Sequence, residues 1–289
     1  MTNKTVAHSL LCKSAPLQLC RLTDKLGIAD ECKTKPLISN DTFSFERPAI
    51  CVLGVIGFAI CLGHTHSLYG GGYTAARAKM EYSIFFFSLA VWFGFSVIDH
   101  CFFTTKTTLG EVFVLVDVCS SLYSSFAICF ASLCEIGIGL KVKIFKKTYR
   151  KVFLASVALG IIAIAAFFRY IYPQALEVIW LVIVVICVGT FSILAAIQFI
   201  RKHSVKLLLI TAVLGAAEFA ALVCLMKGNS LCDKVSRHFG GEEFFFLLTD
   251  ISVFLFYRFY AWIKESEIDK LTKDVELDDG RRIKVVDEV

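Results

Sequence analysis

The chain reads VFLASVALGIIAIAAFFRYIY from residue 152 to residue 172, and Arg169 is the only charged side chain in that stretch. About 20 apolar residues in a helix are enough to cross the hydrocarbon of a bilayer. Further runs of the same kind cover residues 48–67, 82–103, 111–139, 176–200, 206–226 and 244–263. Their apolarity is continuous, whereas the strands of a membrane barrel alternate over about 10 residues. The sequence therefore predicts an all-α membrane protein, a seven-helix bundle of residues 48–263.

The composition agrees with this class of protein. Hydrophobic residues make up 57% of the chain, charged residues 19%, and the mean hydropathy is +0.70, values that a soluble core would not accommodate. Two polar segments flank the bundle: an N-terminal, cysteine-containing segment of residues 1–47 and a charged tail of residues 264–289. Residues 1–47 contain no short apolar stretch behind a basic start, so we expect the first helix to act as the targeting signal.

The distribution of Lys and Arg predicts the orientation of the bundle, because cytosolic loops are enriched in both. The first connection carries Arg77 and Lys79, and the fifth carries Arg201, Lys202 and Lys206. The third connection is the most basic, with Lys141, Lys143, Lys146, Lys147, Arg150 and Lys151. The second has only Lys106, the fourth only Arg169, and the sixth balances its basic residues with acidic ones. We therefore expect the N-terminus in the lumen or outside the cell and the C-terminus in the cytosol.

The twelve cysteines fall into two groups under this topology. Those within the apolar runs are expected to behave as small hydrophobic residues. Four others lie on the predicted lumenal side: Cys12, Cys20, Cys32 and Cys232. In an oxidising compartment they allow two disulfides with three possible connectivities. A zinc site is the alternative, although the nearby histidines lack finger-like spacing. Asn3 and Asn40 begin glycosylation sequons on the same side.

Acidic residues inside the helices are candidates for function, since a charge at mid-membrane costs about 2.5 to 3.5 kcal/mol on insertion scales. Asp117, Glu218 and Asp250 each lie roughly 6 to 9 residues from a predicted lumenal helix end, about 9 to 14 Å deep. They are compatible with an ion or proton site. We favour a hydrogen-bonded polar seam that fixes helix packing, with at least one carboxyl protonated.

Three other functional classes, a metal hydrolase, a receptor and a transporter, fit these residues less well. A lumenal-side metal hydrolase needs several converging histidines, and the six histidines include no His-x-x-x-His pair. A receptor, or a small-solute or ion transporter, would use the three acids, but the third helix lacks an acidic-Arg-Tyr triplet and the seventh lacks Asn-Pro-x-x-Tyr. We expect no enzymatic activity, no cofactor, no metal and no nucleic-acid partner; the lipid bilayer is the expected surroundings.

Small and aromatic residues suggest contact surfaces on the helices. Ala212, Ala216 and Ala220 recur at four-residue spacing, and Ala59 is followed by Gly63. Such stripes pack within a bundle or receive another membrane protein, and the sequence does not separate these two cases. The triplets Phe85–Phe87 and Phe244–Phe246 are expected to face lipid or a partner protein, with lipid as the default.

Several motifs together resemble those of the fungal chitin synthase export chaperones. Cys12-Lys13-Ser14-Ala15-Pro16-Leu17-Gln18-Leu19-Cys20, followed by Cys32, resembles the lumenal start of that family. Tyr73-Thr74-Ala75 with Arg77, Lys79 and Glu81 looks like its first cytosolic connection, and Asp99 ends the second helix where the family tends to place Asp. The run from Leu231-Cys232 through His238-Phe239 to Phe244-Phe245 is similar to the lumenal segment that enters its last helix.

The resemblance implies a non-enzymatic membrane chaperone of the endoplasmic reticulum. It would bind a polytopic chitin synthase, prevent its aggregation and license its export, thereby supporting chitin and cell wall synthesis. The resemblance also implies that Cys12, Cys20, Cys32 and Cys232 hold a lumenal cap that Asp99 and His238 order. Apart from the resemblance, the charged tail predicts a solvated helix end, and the alternative for its Asp274-Val275-Glu276 triplet is an acidic export signal read by a vesicle coat. The expected location is the endoplasmic reticulum membrane, with the plasma membrane as a second location.

Overall fold

The computed structural model of this 289-residue chain describes residues 38–39, 44–45, 47–70, 78–102, 108–139, 146–171, 173–202, 205–226 and 241–277. Two short strands, β1 (Ile38–Ser39) and β2 (Ser44–Phe45), pair in an antiparallel hairpin. The helices are α1 (Pro48–Gly70), α2 (Lys79–Phe102), α3 (Thr108–Gly139), α4 (Lys147–Ile171), α5 (Pro173–Lys202), α6 (Val205–Met226) and α7 (Gly241–Leu277).

All seven helices are long and apolar enough to cross a membrane. This confirms the predicted number and type of spanning elements, and each helix begins within a few residues of the apolar run that predicted it. Pro48 opens α1, where its fixed φ favours the first helical turn and its missing N–H is not needed. The hairpin before α1 was not predicted. It leads into Arg47, whose left-handed backbone (φ 56°) redirects the chain into the helix.

The helices close into a ring in which α1 packs on α2, α2 on α3, α3 on α5, α5 on α6, α6 on α7 and α7 on α1. The remaining helix, α4, lies outside this ring against α3 and α5. Only Leu154 and Ala165 are fully buried among the residues of α4. An outer helix in lipid can be apolar on every face, because hydrocarbon solvates its side chains as well as a protein interior does.

Aromatic side chains fill the space between α2 and α7. The ring of Phe85 meets Phe256 at 5.0 Å between centroids, and Trp92 stacks on Phe246 at 5.4 Å. The expectation that both phenylalanine triplets face lipid is therefore wrong for Phe85, Phe86 and Phe246, which are buried. Large rings bridge two helices whose backbones are too far apart for small side chains to touch.

Glycines, rather than large rings, lie where α1 contacts α2 and α7. A Cβ added at Gly57 would overlap the Asp250 carboxylate and the ring of Phe93, and one added at Gly54 would overlap Val97. Glycine is therefore required at both positions for α1 to approach its neighbours this closely.

The predicted small-residue stripes face away from the bundle. Ala212 and Ala216 are exposed and Ala220 is partly exposed on α6, and Ala59 and Gly63 are exposed on α1. A Cβ added at Gly63 would meet no described atom within 4 Å. These stripes do not make the internal contacts that hold the ring together, so they are available to lipid or to another protein.

The last helix is the longest element. At 37 residues, α7 continues past the predicted membrane boundary at residue 263 and ends at Leu277. The Asp274-Val275-Glu276 triplet therefore lies in the last turn of a helix that begins at the far end of the bundle.

Candidate functional site

Ionic contacts cluster at the end of the bundle where α1 begins and α2 ends, which we call the Arg47 end. The Arg47 guanidinium pairs with the Glu242 carboxylate at the start of α7, and His100 Nδ1 lies 3.9 Å from Glu242 Oε2. The Cys101 thiol donates to the Arg47 carbonyl oxygen at 3.6 Å. Arg47 and Glu243 are both buried. Three helix ends are thus joined through one arginine.

The sequence does not single out Arg47 or Glu242, because both lie just outside the apolar runs, where charges are common. A buried arginine at a helix start requires a carboxylate partner, because an unpaired charge in a low-dielectric interior is strongly unfavourable. The signal that could have found them is their position: each stands next to the first residues of an apolar helix, on the same predicted side of the membrane.

Two of the predicted acidic residues meet near this end, between α2 and α3. Ser96 Oγ of α2 donates a hydrogen bond to Asp117 Oδ1 of α3. Asp99 lies about one turn further along α2, on the same face of the helix as Ser96. The predicted partner of Asp99 on the lumenal face, His238, lies outside the described residues, so that pairing stays a prediction.

Asp250 occupies a different interface, among α7, α1 and α2. Its carboxylate lies close to Gly57 of α1, and the ring of Phe93 of α2 lies close to the same glycine. Among the residues that the structure describes, neither carboxylate oxygen has a hydrogen-bond partner, although Asp250 is buried. A neutral, protonated carboxyl suits this apolar contact far better than an ion would.

Glu218 completes the predicted polar seam but faces a third environment. Its carboxyl lies beside the Ser252 hydroxyl, where α6 meets α7. The structure therefore distributes Asp117, Glu218 and Asp250 over separate interfaces, each with its own neighbours. Within the described residues, no group of three or more His, Cys, Asp or Glu side chains could hold a metal ion.

A second buried network lies at the opposite end of the bundle, which we call the Arg150 end. Arg150 Nη1 of α4 contacts Glu81 Oε1 of α2 at 2.7 Å, and Glu81 is fully buried. The backbone N–H of Ala78 donates to Glu135 Oε1 of α3 at 2.9 Å. These contacts tie the entry into α2 to the end of α3 and the start of α4. Glu81 belongs to the motif that resembles the first cytosolic connection of the chaperone family.

A cavity of about 80 Å³ lies inside the ring, between α2, α3, α5, α6 and α7. Glu218 and Ser252 line it, together with Ser121 and Ser124 of α3. Trp180 Nε1 of α5 donates a hydrogen bond to Ser121 Oγ at 2.9 Å and so joins two of its walls. The sequence marked Glu218 as a candidate but gave no sign that a cavity surrounds it.

The described cysteines are all free thiols: Cys51, Cys61, Cys101, Cys119, Cys129, Cys134, Cys187 and Cys224. The four candidates for lumenal disulfides, Cys12, Cys20, Cys32 and Cys232, lie outside the described residues. So do the sequon residues Asn3 and Asn40. Their pairing and modification stay predictions.

Seven apolar helices, six of them in a ring and α4 outside it, with ion pairs at both ends of the bundle, indicate a multi-pass membrane protein. Comparisons with protein-family models, with curated proteins and with solved structures found no match for this chain.

Proposed function

We propose that this protein is a membrane chaperone of the endoplasmic reticulum that binds a polytopic chitin synthase and enables its export. The chain performs no chemistry in this role and needs no cofactor. The proposal rests on the sequence motifs described above and on the surface that the helices present to the membrane.

In this proposal the Arg47 end faces the lumen and the Arg150 end faces the cytosol. Basic residues concentrate in the connections on the Arg150 side, as cytosolic loops do. The cysteine-containing residues 1–47 then form a lumenal cap with Cys232, and α7 carries the tail into the cytosol, where a vesicle coat reads it.

The observation that carries the proposal is the outward-facing stripe of Ala212, Ala216 and Ala220 on α6. In lipid, helices associate through close packing and hydrogen bonds, so small residues mark surfaces that accept another helix. An immature client exposes such faces and would associate nonspecifically. A folded bundle with a matching face covers them and prevents that association.

The motif residues of the first cytosolic connection also support the proposal. Glu81 is held rigidly by Arg150, and the preceding turn is held by the Ala78 contact to Glu135. These contacts fix the start of α2 directly after the connection, so a client that binds beside it meets a preorganised helix end and loses less entropy on binding.

The stripe is tested by enlarging it. The triple variant Ala212→Leu, Ala216→Leu and Ala220→Leu should lose co-purification of chitin synthase from mild detergent by roughly tenfold or more, since three leucines hold a partner helix at a distance. The control enlarges two exposed alanines of the outer helix α4, Ala155→Leu and Ala163→Leu. If both variants recovered the same amount of synthase, the stripe on α6 would not be the surface that binds the client.

Depletion of the protein tests the function itself. The synthase should then accumulate in the endoplasmic reticulum and fail to reach the cell surface, as seen by fluorescence of a tagged synthase. Normal delivery in depleted cells would contradict the proposal, whatever the stripe variants do.

A further inference from the structure

A groove lies beside the outer helix α4, where that helix packs against α3 and α5. Side chains of all three helices line it. Its volume of about 750 Å³ lies within the 300–1,000 Å³ typical of ligand sites. The groove therefore has room for a ligand between α4 and the ring.

The walls of the groove are almost entirely apolar. The ring of Phe153 on α4 meets Phe130 at 5.0 Å and Phe126 at 5.9 Å between centroids, both on α3. Leu133 and Val152 also line the groove and are exposed to the surroundings of the bundle. Water gains no partners on such walls, and an empty groove loses dispersion contacts, so an apolar chain fills it best.

Basic side chains stand where α4 begins, at one end of the groove. Arg150 is the only charged residue among the described ones that line it, and Glu81 already balances that charge. Lys146 and Lys147 precede Arg150 by four and three residues, so they lie beside it on the helix surface, and both are exposed. Within the described part of the chain, neither lysine forms an ion pair. They leave an excess of positive charge at this end.

The length of the groove favours a lipid over a helix as the occupant. Its lining residues on α4 run from Tyr149 to Ser156, about 10 Å along the helix axis. A transmembrane helix packs along much more of the roughly 30 Å of hydrocarbon. A single acyl chain can enter so short a groove from the end. The exposed ring of Tyr149 stands at that end, as tyrosines do at the level of lipid headgroups.

We propose that this groove binds an anionic phospholipid of the cytosolic leaflet, with one acyl chain among the phenylalanine rings and the headgroup phosphate against Lys146 and Lys147. Basic pockets between transmembrane helices on the cytosolic side suit anionic headgroups, which that leaflet supplies. Only Leu154 and Ala165 of α4 are fully buried, so the lipid would add packing between α4 and the ring. The inference shares with the proposed function only the orientation of the bundle, because it concerns neither the stripe on α6 nor a client.

The headgroup contact is tested on full-length protein, purified in mild detergent and freed of lipid. Native mass spectrometry measures its affinity for phosphatidylserine and for phosphatidylcholine with the same acyl chains. Phosphatidylserine should bind at least roughly tenfold more tightly, since each lysine near an anionic headgroup contributes several-fold. Lys146→Gln with Lys147→Gln should remove this preference. The control, Lys206→Gln with Arg258→Gln, removes two exposed basic residues on other helices and should keep it.

A second pair of variants tests the groove itself. Ser156→Trp with Thr190→Trp fills it from α4 and α5 and should weaken the binding of both lipids by roughly tenfold or more. Ala155→Trp with Gly189→Trp adds the same rings one residue earlier on each helix, at exposed positions that do not line the groove, and should leave binding intact. The inference is overturned if phosphatidylcholine binds as tightly as phosphatidylserine or if the filled groove binds phosphatidylserine normally. A dimer that takes up no lipid would also overturn it, because a second copy of the chain would then be the occupant.

Discussion

Two ion pairs connect helices of this bundle at buried arginine side chains. Arg47 with Glu242 and Arg150 with Glu81 join helices at opposite ends. A buried pair contributes little net stability by comparison with an apolar pair of the same size, but the loss of one partner leaves an uncompensated charge. Replacing only one residue of a pair should therefore reduce stability much more than replacing both.

Replacing Glu81 by Leu should lower the free energy of unfolding by about 3 to 5 kcal/mol, because the Arg150 guanidinium stays buried without its carboxylate. The double variant Glu81→Leu, Arg150→Met should recover most of this loss. Equilibrium unfolding in mixed micelles measures all three proteins. If the double variant were as unstable as the single one, the contribution would come from packing around Glu81 rather than from charge.

The sequence showed which acidic residues lie inside the helices, but not which residues they contact. Asp117, Glu218 and Asp250 were recognisable because each interrupts an apolar run. Their partners depend on the rotation of each helix about its axis, and apolar residues on every face of a membrane helix leave that rotation undefined. Arg47 and Glu242 were missed for a different reason: a charge at the edge of a run looks the same whether it is buried or solvated.

At the scale of elements, the helices were predictable because length and apolarity alone define a membrane span. The β1–β2 hairpin was not, since two-residue strands are too short to show an alternating pattern. The burial of Phe85, Phe86 and Phe246 was also missed. In a soluble protein a phenylalanine triplet would point inward by default, but lipid accepts the same side chains, so sequence gives no preferred face.

The close approach of α1 to α7 and α2 depends on Gly57. We expect Gly57→Ala to destabilise the protein by about 1 to 3 kcal/mol, because the new methyl group overlaps the Asp250 carboxylate and the Phe93 ring. Gly63→Ala, on the same helix with no atom within 4 Å, should change stability by less than about 0.5 kcal/mol. Thermal unfolding of both variants in the same detergent makes the comparison, and equal losses would contradict this account of the interface.

For the whole molecule, the direction in which the seven-helix bundle crosses the membrane can be predicted from its charges and measured. The asymmetry of Lys and Arg predicts that the Arg47 end is lumenal. A glycosylation acceptor tag fused to the N-terminus should therefore be modified and shift in mass on endoglycosidase treatment, while the same tag at the C-terminus should not. The reverse result would remove the lumenal cap and the disulfides of Cys12, Cys20, Cys32 and Cys232 from the proposed function.

The unbroken course of α7 joins the two sides of the membrane through one element. Its 37 residues make a rod about 55 Å long, well beyond the roughly 30 Å of hydrocarbon. Arg47 fixes its first turn, and packing on α6 and α1 holds the part inside the bundle. The helix therefore carries its last turn about 20 Å past residue 263, so the Asp274-Val275-Glu276 triplet stands off from the membrane surface on a helical stalk.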